Sequence, residues 1–111
     1  KHPQSPISNN PKFARNGGSV FSHNNNLFRP AQDCSVSYGN NLSIFNVTHL
    51  SIDKYEETLV ATNFFPKYKF KHGGHHFSHI EYKGQNIIAF DKKIKRICDN
   101  STVFFALCFN L

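Results

Sequence analysis

Apolar and polar residues alternate along this chain in short runs. Residues 19–23 and 27–31 flank Asn24-Asn25-Asn26, and asparagine tolerates the positive φ of a tight turn, so the pattern predicts a β-hairpin. In residues 40–50, Leu42, Ile44, Asn46 and Thr48 alternate with Ser43, Phe45, Val47 and His49. Apolar side chains thus occupy parts of both faces, as in a strand packed on two sides. Ser51 stands where it would cap a single helical turn over Ser51-Ile-Asp-Lys54, by accepting a backbone N–H. Residues 58–65 read as a further strand ended by Pro66, which cannot continue a sheet ladder. Residues 75–82 and 86–91 read as strands around Lys83-Gly84-Gln85, a second hairpin in which glycine supplies the turn. Beyond Asp91 come a basic stretch and residues 103–109, apolar enough for another strand or a buried tail. At the other end, Pro3, Pro6 and Pro11 amid Ser and Asn predict an irregular segment, residues 1–15, that runs over a surface.

Four successive strands with short connections predict an up-and-down antiparallel sheet of the size of one propeller blade, and the remainder makes about half of another. Such a blade cannot bury both faces alone, so about 1.5 blades imply a truncated propeller or a small two-sheet assembly. The 111 residues suit one small domain, and 12 of them are Phe, an aromatic content that disordered chains lack. No apolar run approaches the roughly 20 residues of a membrane span. Methionine is absent even at position 1, so a chain cut or processed from something longer is expected.

Lys and Arg number 13 against 7 Asp and Glu, a formal charge of +6. Lys67, Lys69 and Lys71 alternate with Tyr68 and Phe70, and Lys92, Lys93, Lys95 and Arg96 form a second cluster. Without an RNA-binding or helix-turn-helix signature these read as the lysines that guard an edge strand, and no nucleic-acid partner is expected. Cys34, Cys98 and Cys108 are an odd number and make no CxxC pair, which leaves buried or half-buried thiols as the default. Sequons occur at Asn41-Leu-Ser43, Asn46-Val-Thr48 and Asn100-Ser-Thr102; in a chain so rich in Asn they decide nothing about compartment.

The richest chemistry lies in Leu27-Phe-Arg-Pro-Ala-Gln-Asp-Cys-Ser-Val-Ser-Tyr-Gly39, which gathers Arg29, Gln32, Asp33, Ser35 and Tyr38 around the end of one strand. Planar, multidentate groups of this kind suit the hydroxyls of a sugar. They equally suit a structural network in which Arg29 pairs with Asp33 to satisfy a buried turn. Tyr55-Glu56-Glu57 adds carboxylates, expected to be solvated or to cap a strand. His72, His75, His76 and His79 form a second cluster. On a strand, His75 and His79 would share a face but stand two steps of about 7 Å apart, too far for joint ligation, and no metal centre is expected.

Several motifs together resemble the N-terminal domain of the glucosamine inositolphosphorylceramide transferase family. They are His2-Pro-Gln-Ser-Pro6, Ala14-Arg-Asn-Gly-Gly18, Arg29-Pro-Ala-Gln-Asp-Cys-Ser35 with Tyr38-Gly39, Tyr55-Glu-Glu57 and Gly73-Gly-His75. Gly18 and Gly74 stand at positions that vary in that pattern, and the histidines are doubled. The resemblance implies an all-β fold of antiparallel sheets, part of a five-bladed propeller of the arabinanase and invertase type. Residues 1–91 would be its last blades and 92–111 a tail of no assigned role. It implies a carbohydrate-active domain of a glycosyltransferase-like enzyme acting on a sugar or glycolipid, with no cofactor, whose earlier blades would be its partners. In that picture Asp33 and His75 are the catalytic candidates, and Arg29, Gln32 and Tyr38 bind substrate. His75 fits the place of a propeller histidine that points into the central channel. Glycoside cleavage needs two carboxyls across the scissile bond, placed on earlier blades in the related hydrolases, so this segment alone does not assemble a hydrolytic pair. The alternative is a noncatalytic propeller remnant that binds or scaffolds.

Overall fold

The structure is a computed structural model that describes residues 1–95 throughout and the backbone of residues 102–110. Asn24 and Asn25 take φ values of 47° and 59°, the left-handed pair that a two-residue hairpin turn needs. They join β2 (Phe21–His23) to β3 (Asn26–Asp33), which continues into β4 (Asn41–Leu50) and β5 (Tyr55–Ala61). A short β1 (Arg15–Asn16) lies beside the far end of β3, so β1 and β2 together form one interrupted edge of the sheet. The second sheet comprises β6 (Phe77–Tyr82), β7 (Gln85–Lys95) and β8 (Thr102–Asn110), in that order. Every pairing in both sheets is antiparallel, and the fold is all-β. Among the described residues no helix is long and apolar enough to cross a membrane.

Several element boundaries differ from the sequence pattern. β5 starts at Tyr55 and stops at Ala61 because the next residues are tied down elsewhere: the Phe64 N–H donates to Leu42 O at 2.9 Å, and Phe65 turns inward, 3% exposed. The Asn41 side chain, only 3% exposed, takes the Phe65 N–H on Oδ1 and donates Nδ2–H to the Phe65 carbonyl, both at 2.9 Å. The amide thereby supplies the two bonds that a ladder partner would have given, which is why a buried Asn is tolerated here. Ser51 caps no helical turn. Its N–H donates to the Lys54 carbonyl at 2.9 Å and its Oγ accepts from the Lys54 N–H at 3.0 Å, closing the β4–β5 connection. Lys67, Lys69 and Lys71 fall in turns after Pro66, and Lys92, Lys93 and Lys95 lie on β7, the central strand of its sheet, so neither group guards an edge strand. Cys34 is a half-buried free thiol. Cys98, the Cys108 side chain, Arg96 and the Asn100 sequon lie outside the described residues.

The two sheets meet through backbone. Gly17 N–H donates to Pro30 O at 2.9 Å on β3, while Gly17 O accepts the Phe77 N–H at 2.7 Å, the first residue of β6. A Cβ on Gly18 would overlap the Phe77 carbonyl, and one on Gly73 would overlap the Gly39 carbonyl. Both glycines also hold positive φ, 147° and 101°, so two independent reasons require glycine. At this spacing Leu42, Phe65, Phe70 and Phe77 bury together, with Phe21, Ile88 and Phe90 packed against them. Phe65 and Phe70 stack at 4.4 Å between ring centres, and Phe90 meets both at 5.7 and 5.5 Å. Each such side chain contributes roughly 1.5–3 kcal/mol of burial. The opposite face of the first sheet is covered by the irregular N-terminal segment, where Pro11 O accepts the Cys34 N–H at 2.9 Å and the Phe13 ring meets Phe45 edge-on at 5.2 Å.

Replacing Gly18 with Ala should therefore cost on the order of 3 kcal/mol or more, overpacking added to backbone strain. Gly84→Ala is the matched control: φ is 73° but nothing lies within 4 Å of the added methyl, so only about 1–2 kcal/mol of conformational cost is expected. Urea melts of the two variants check this; equal losses would refute the close approach at Gly18.

Candidate functional site

Strand alternation decides which of the candidate residues can meet. On β3, Arg29 and Asp33 are four residues apart and share one face, whereas Gln32 projects from the other. The structure accordingly distributes the five sequence-derived candidates over three places.

Arg29 lies beneath the N-terminal segment and is 8% exposed. Its Nε and Nη2 donate to the two carboxylate oxygens of Glu57 at 2.7 and 2.6 Å, and Nη1 donates to Phe13 O at 3.2 Å and Asn16 Oδ1 at 3.1 Å. The guanidinium also covers the Phe45 ring at 4.9 Å. Its partner is thus Glu57, not Asp33, and the fork-to-fork geometry is the strong form of this pair. Burial by itself lowers the Arg29 pKa, but the hydrogen bonds and charge of Glu57 outweigh it and raise the guanidinium above its ordinary value. Tyr55 joins from the same strand as Glu57, donating its hydroxyl to Glu57 Oε2 at 2.7 Å. Burial, together with the Glu57 carboxylate that needs this proton, pushes the Tyr55 phenol up to about 12. A hollow of about 450 Å³ adjoins this network, but Ile7, Val20, Leu27 and Val47 give it an apolar wall.

Asp33 closes the loop after β3. Its Oδ1 accepts the Ser35 N–H at 2.8 Å and the Ser35 hydroxyl at 2.6 Å, and Oδ2 accepts from Asn40 Nδ2 at 3.2 Å. Partial burial raises the Asp33 carboxyl, but the Ser35 and Asn40 hydrogen bonds and the Lys12 charge prevail and hold it below the usual carboxylate range. That loop carries Tyr38, so Asp33 fixes the strand end from which Tyr38 is presented.

Gln32, Tyr38 and His75 do come together. With Arg15, Asn16 and His76 they line an open cleft of about 380 Å³ where the two sheets meet, a volume within the range of small-ligand sites. Gln32 is 2% exposed and accepts from Cys34 Sγ at 3.1 Å. The Tyr38 ring meets the His75 ring edge-on at 5.1 Å, and the Arg15 guanidinium lies 5.5 Å from the Tyr38 ring centre. Behind His75 stands Asp91 on β7, 7% exposed. Its Oδ1 accepts the backbone N–H groups of His75 and His76 at 2.8 and 2.9 Å, and its Oδ2 lies against the His75 Nδ1. His79 is turned away from this cleft, bonded through Nε2 to Asn86 Oδ1 at 2.9 Å and packed on Phe21.

Sequence reasoning missed Asp91, Arg15 and Asn16, and it expected Glu57 to be solvated or to cap a strand, whereas its side chain is largely buried against Arg29. Asp91 carried a visible signal, a carboxylate directly after the apolar run Ile87-Ile-Ala-Phe90. Arg15 closed the segment read as irregular and Asn16 followed it directly, and the partner of Arg29 lay on a strand whose start was misplaced.

The residue 1–90 segment matches the family model described as glucosamine inositolphosphorylceramide transferase 1, N-terminal. Curated relatives named glucosamine inositolphosphorylceramide transferase 1 include proteins from Oryza sativa subsp. indica and subsp. japonica, each 39% identical over 62 residues. The namesake from Arabidopsis thaliana is 36% identical over 61 residues. These matches take in 53–54% of this chain but 8% of each relative. No solved structure matches the chain.

Two predictions follow from the buried network. Glu57→Gln should destabilise the fold by about 3 kcal/mol, because it strands a buried guanidinium, which a denaturant melt will measure. The Tyr55 pKa is higher folded than unfolded, so its contribution is complete below pH 10 and lost as pH rises towards about 12. Tyrosinate absorbance should show one of the four tyrosines ionising late, and Tyr55→Phe should remove that late step. A late step that survives the substitution would refute the assignment.

Proposed function

The chain belongs to the N-terminal family of glucosamine inositolphosphorylceramide transferase 1, and from that membership we propose that it is a carbohydrate-recognising part of a glycosyltransferase-like protein. Its cleft between the sheets would hold the sugar or polyol headgroup of a glycolipid. The observation that carries this reading is the convergence of Gln32, Tyr38 and His75 with Arg15 and Asn16 in one polar cleft. An amide, a phenol, an imidazole and a guanidinium offer both donors and acceptors to neighbouring hydroxyls, and an aromatic ring supplies a face for the apolar side of a sugar.

The two sheets are proposed to be adjacent blades of a propeller. In support, β2 and β6, the first strand of each meander, lie nearest one another, while Gly17 O and Phe77 N join the sheets by a hydrogen bond. The cleft then opens where inner strands converge. Within it Gln32, Tyr38 and His75 touch the ligand. Arg29 and Asp33 act at one remove, Arg29 by fixing β1 through Asn16 and Asp33 by holding the loop that carries Tyr38.

Titration of the full chain with myo-inositol and with glucosamine, followed by NMR, should perturb Gln32, Tyr38 and His75 first. Gln32→Ala and Tyr38→Ala should each weaken binding roughly tenfold, the value of one hydrogen bond to a polar ligand group. Perturbation confined to other surfaces, or none, would reject the cleft and favour the noncatalytic scaffold.

A further inference from the structure

The contacts of Asp91 go further than those of a carboxylate that merely closes a turn. One oxygen is occupied by two backbone N–H groups, which fixes the chain direction at His75 and His76. The other faces His75 Nδ1. A buried carboxylate is an acceptor only, so it holds the imidazole with its proton on Nδ1 and leaves the lone pair on Nε2. Nε2 is across the ring from Asp91, and His75 lines the cleft.

We infer that Asp91 is a positioning residue that makes His75 a hydrogen-bond acceptor at Nε2, so that the cleft selects a ligand that presents a hydroxyl or other donor there. The proposal builds on the polyol site above and assigns a polarity to one of its walls. Asp91 and His75 both belong to the second sheet and its approach and Gln32 to the first, so the acceptor faces the Gln32 wall only where the sheets are joined. The neighbouring cleft residues complement it: Arg15 is donor only, while Gln32 and Tyr38 both donate and accept. A polyol with adjacent hydroxyls can satisfy these groups in a single pose, giving to His75 and receiving from Arg15.

Nitrogen NMR of the imidazoles, at a pH where they are neutral, reads the tautomer directly. In the wild-type chain His75 is expected to carry its proton on Nδ1. In Asp91→Asn the side-chain carbonyl still accepts the two backbone N–H groups, but the amide NH₂ now faces Nδ1, so the tautomer should invert to Nε2–H. Nε2–H in the wild type, or an unchanged tautomer in Asp91→Asn, overturns the proposal; the wild-type spectrum decides it even if the variant does not fold. In parallel, Asp91→Asn should weaken myo-inositol binding about tenfold. Inversion of the tautomer with no myo-inositol binding by either protein would uphold Asp91 as the group that sets His75 and reject the polyol site. Inversion with undiminished binding would overturn the selection of a donor at Nε2.

Discussion

The distance between the two sheets is set by backbone touching backbone, and both the core and the cleft depend on it. Gly18 lies against the Phe77 carbonyl and Gly73 against the Gly39 carbonyl, closer than any side chain permits. With this spacing, the Phe65 and Phe70 rings stack and Phe90 tilts against both instead of leaving a slot. It also carries His75 from the second sheet's approach into contact with Tyr38 from the loop after β3. Larger residues at Gly18 or Gly73 would push apart every feature that spans the sheets.

A second constraint holds the first sheet to its N-terminal cover. Buried charge is costly unless its partners are fully supplied, and Arg29 meets that condition with Glu57, Asn16 and the Phe13 carbonyl. The network reaches three strands and the irregular segment at once. It belongs to the frame of the cleft, and its strength comes from the number of acceptors that share one guanidinium.

The strand order and both hairpins were legible because asparagine and glycine mark tight turns by backbone geometry alone. Asn24, Asn25, Lys83 and Gly84 all adopt positive φ. The two-faced burial of Leu42, Ile44 and Phe45 was legible for the same local reason, alternation along an extended chain. What escaped were pairings set by tertiary contact: Asn41 with Phe65, Arg29 with Glu57, and Asp91 with His75. One error was avoidable. Arg29, Gln32 and Asp33 were grouped as one pocket although the parity of a strand separates Gln32 from the other two. The glycines at 18 and 74, which looked like variable positions, are placed where a Cβ would meet backbone or the Phe65 ring.

The buried amide of Asn41 has a consequence for chain maturation. Asn41-Leu-Ser43 is a sequon, yet in the folded protein the nitrogen that would carry a glycan is spent on the Phe65 carbonyl. Folding and N-linked modification at this asparagine are mutually exclusive. Were the nascent chain exposed to an oligosaccharyltransferase, whichever event came first would decide its fate, and a glycan on Asn41 would mark a molecule whose fourth strand had failed to close.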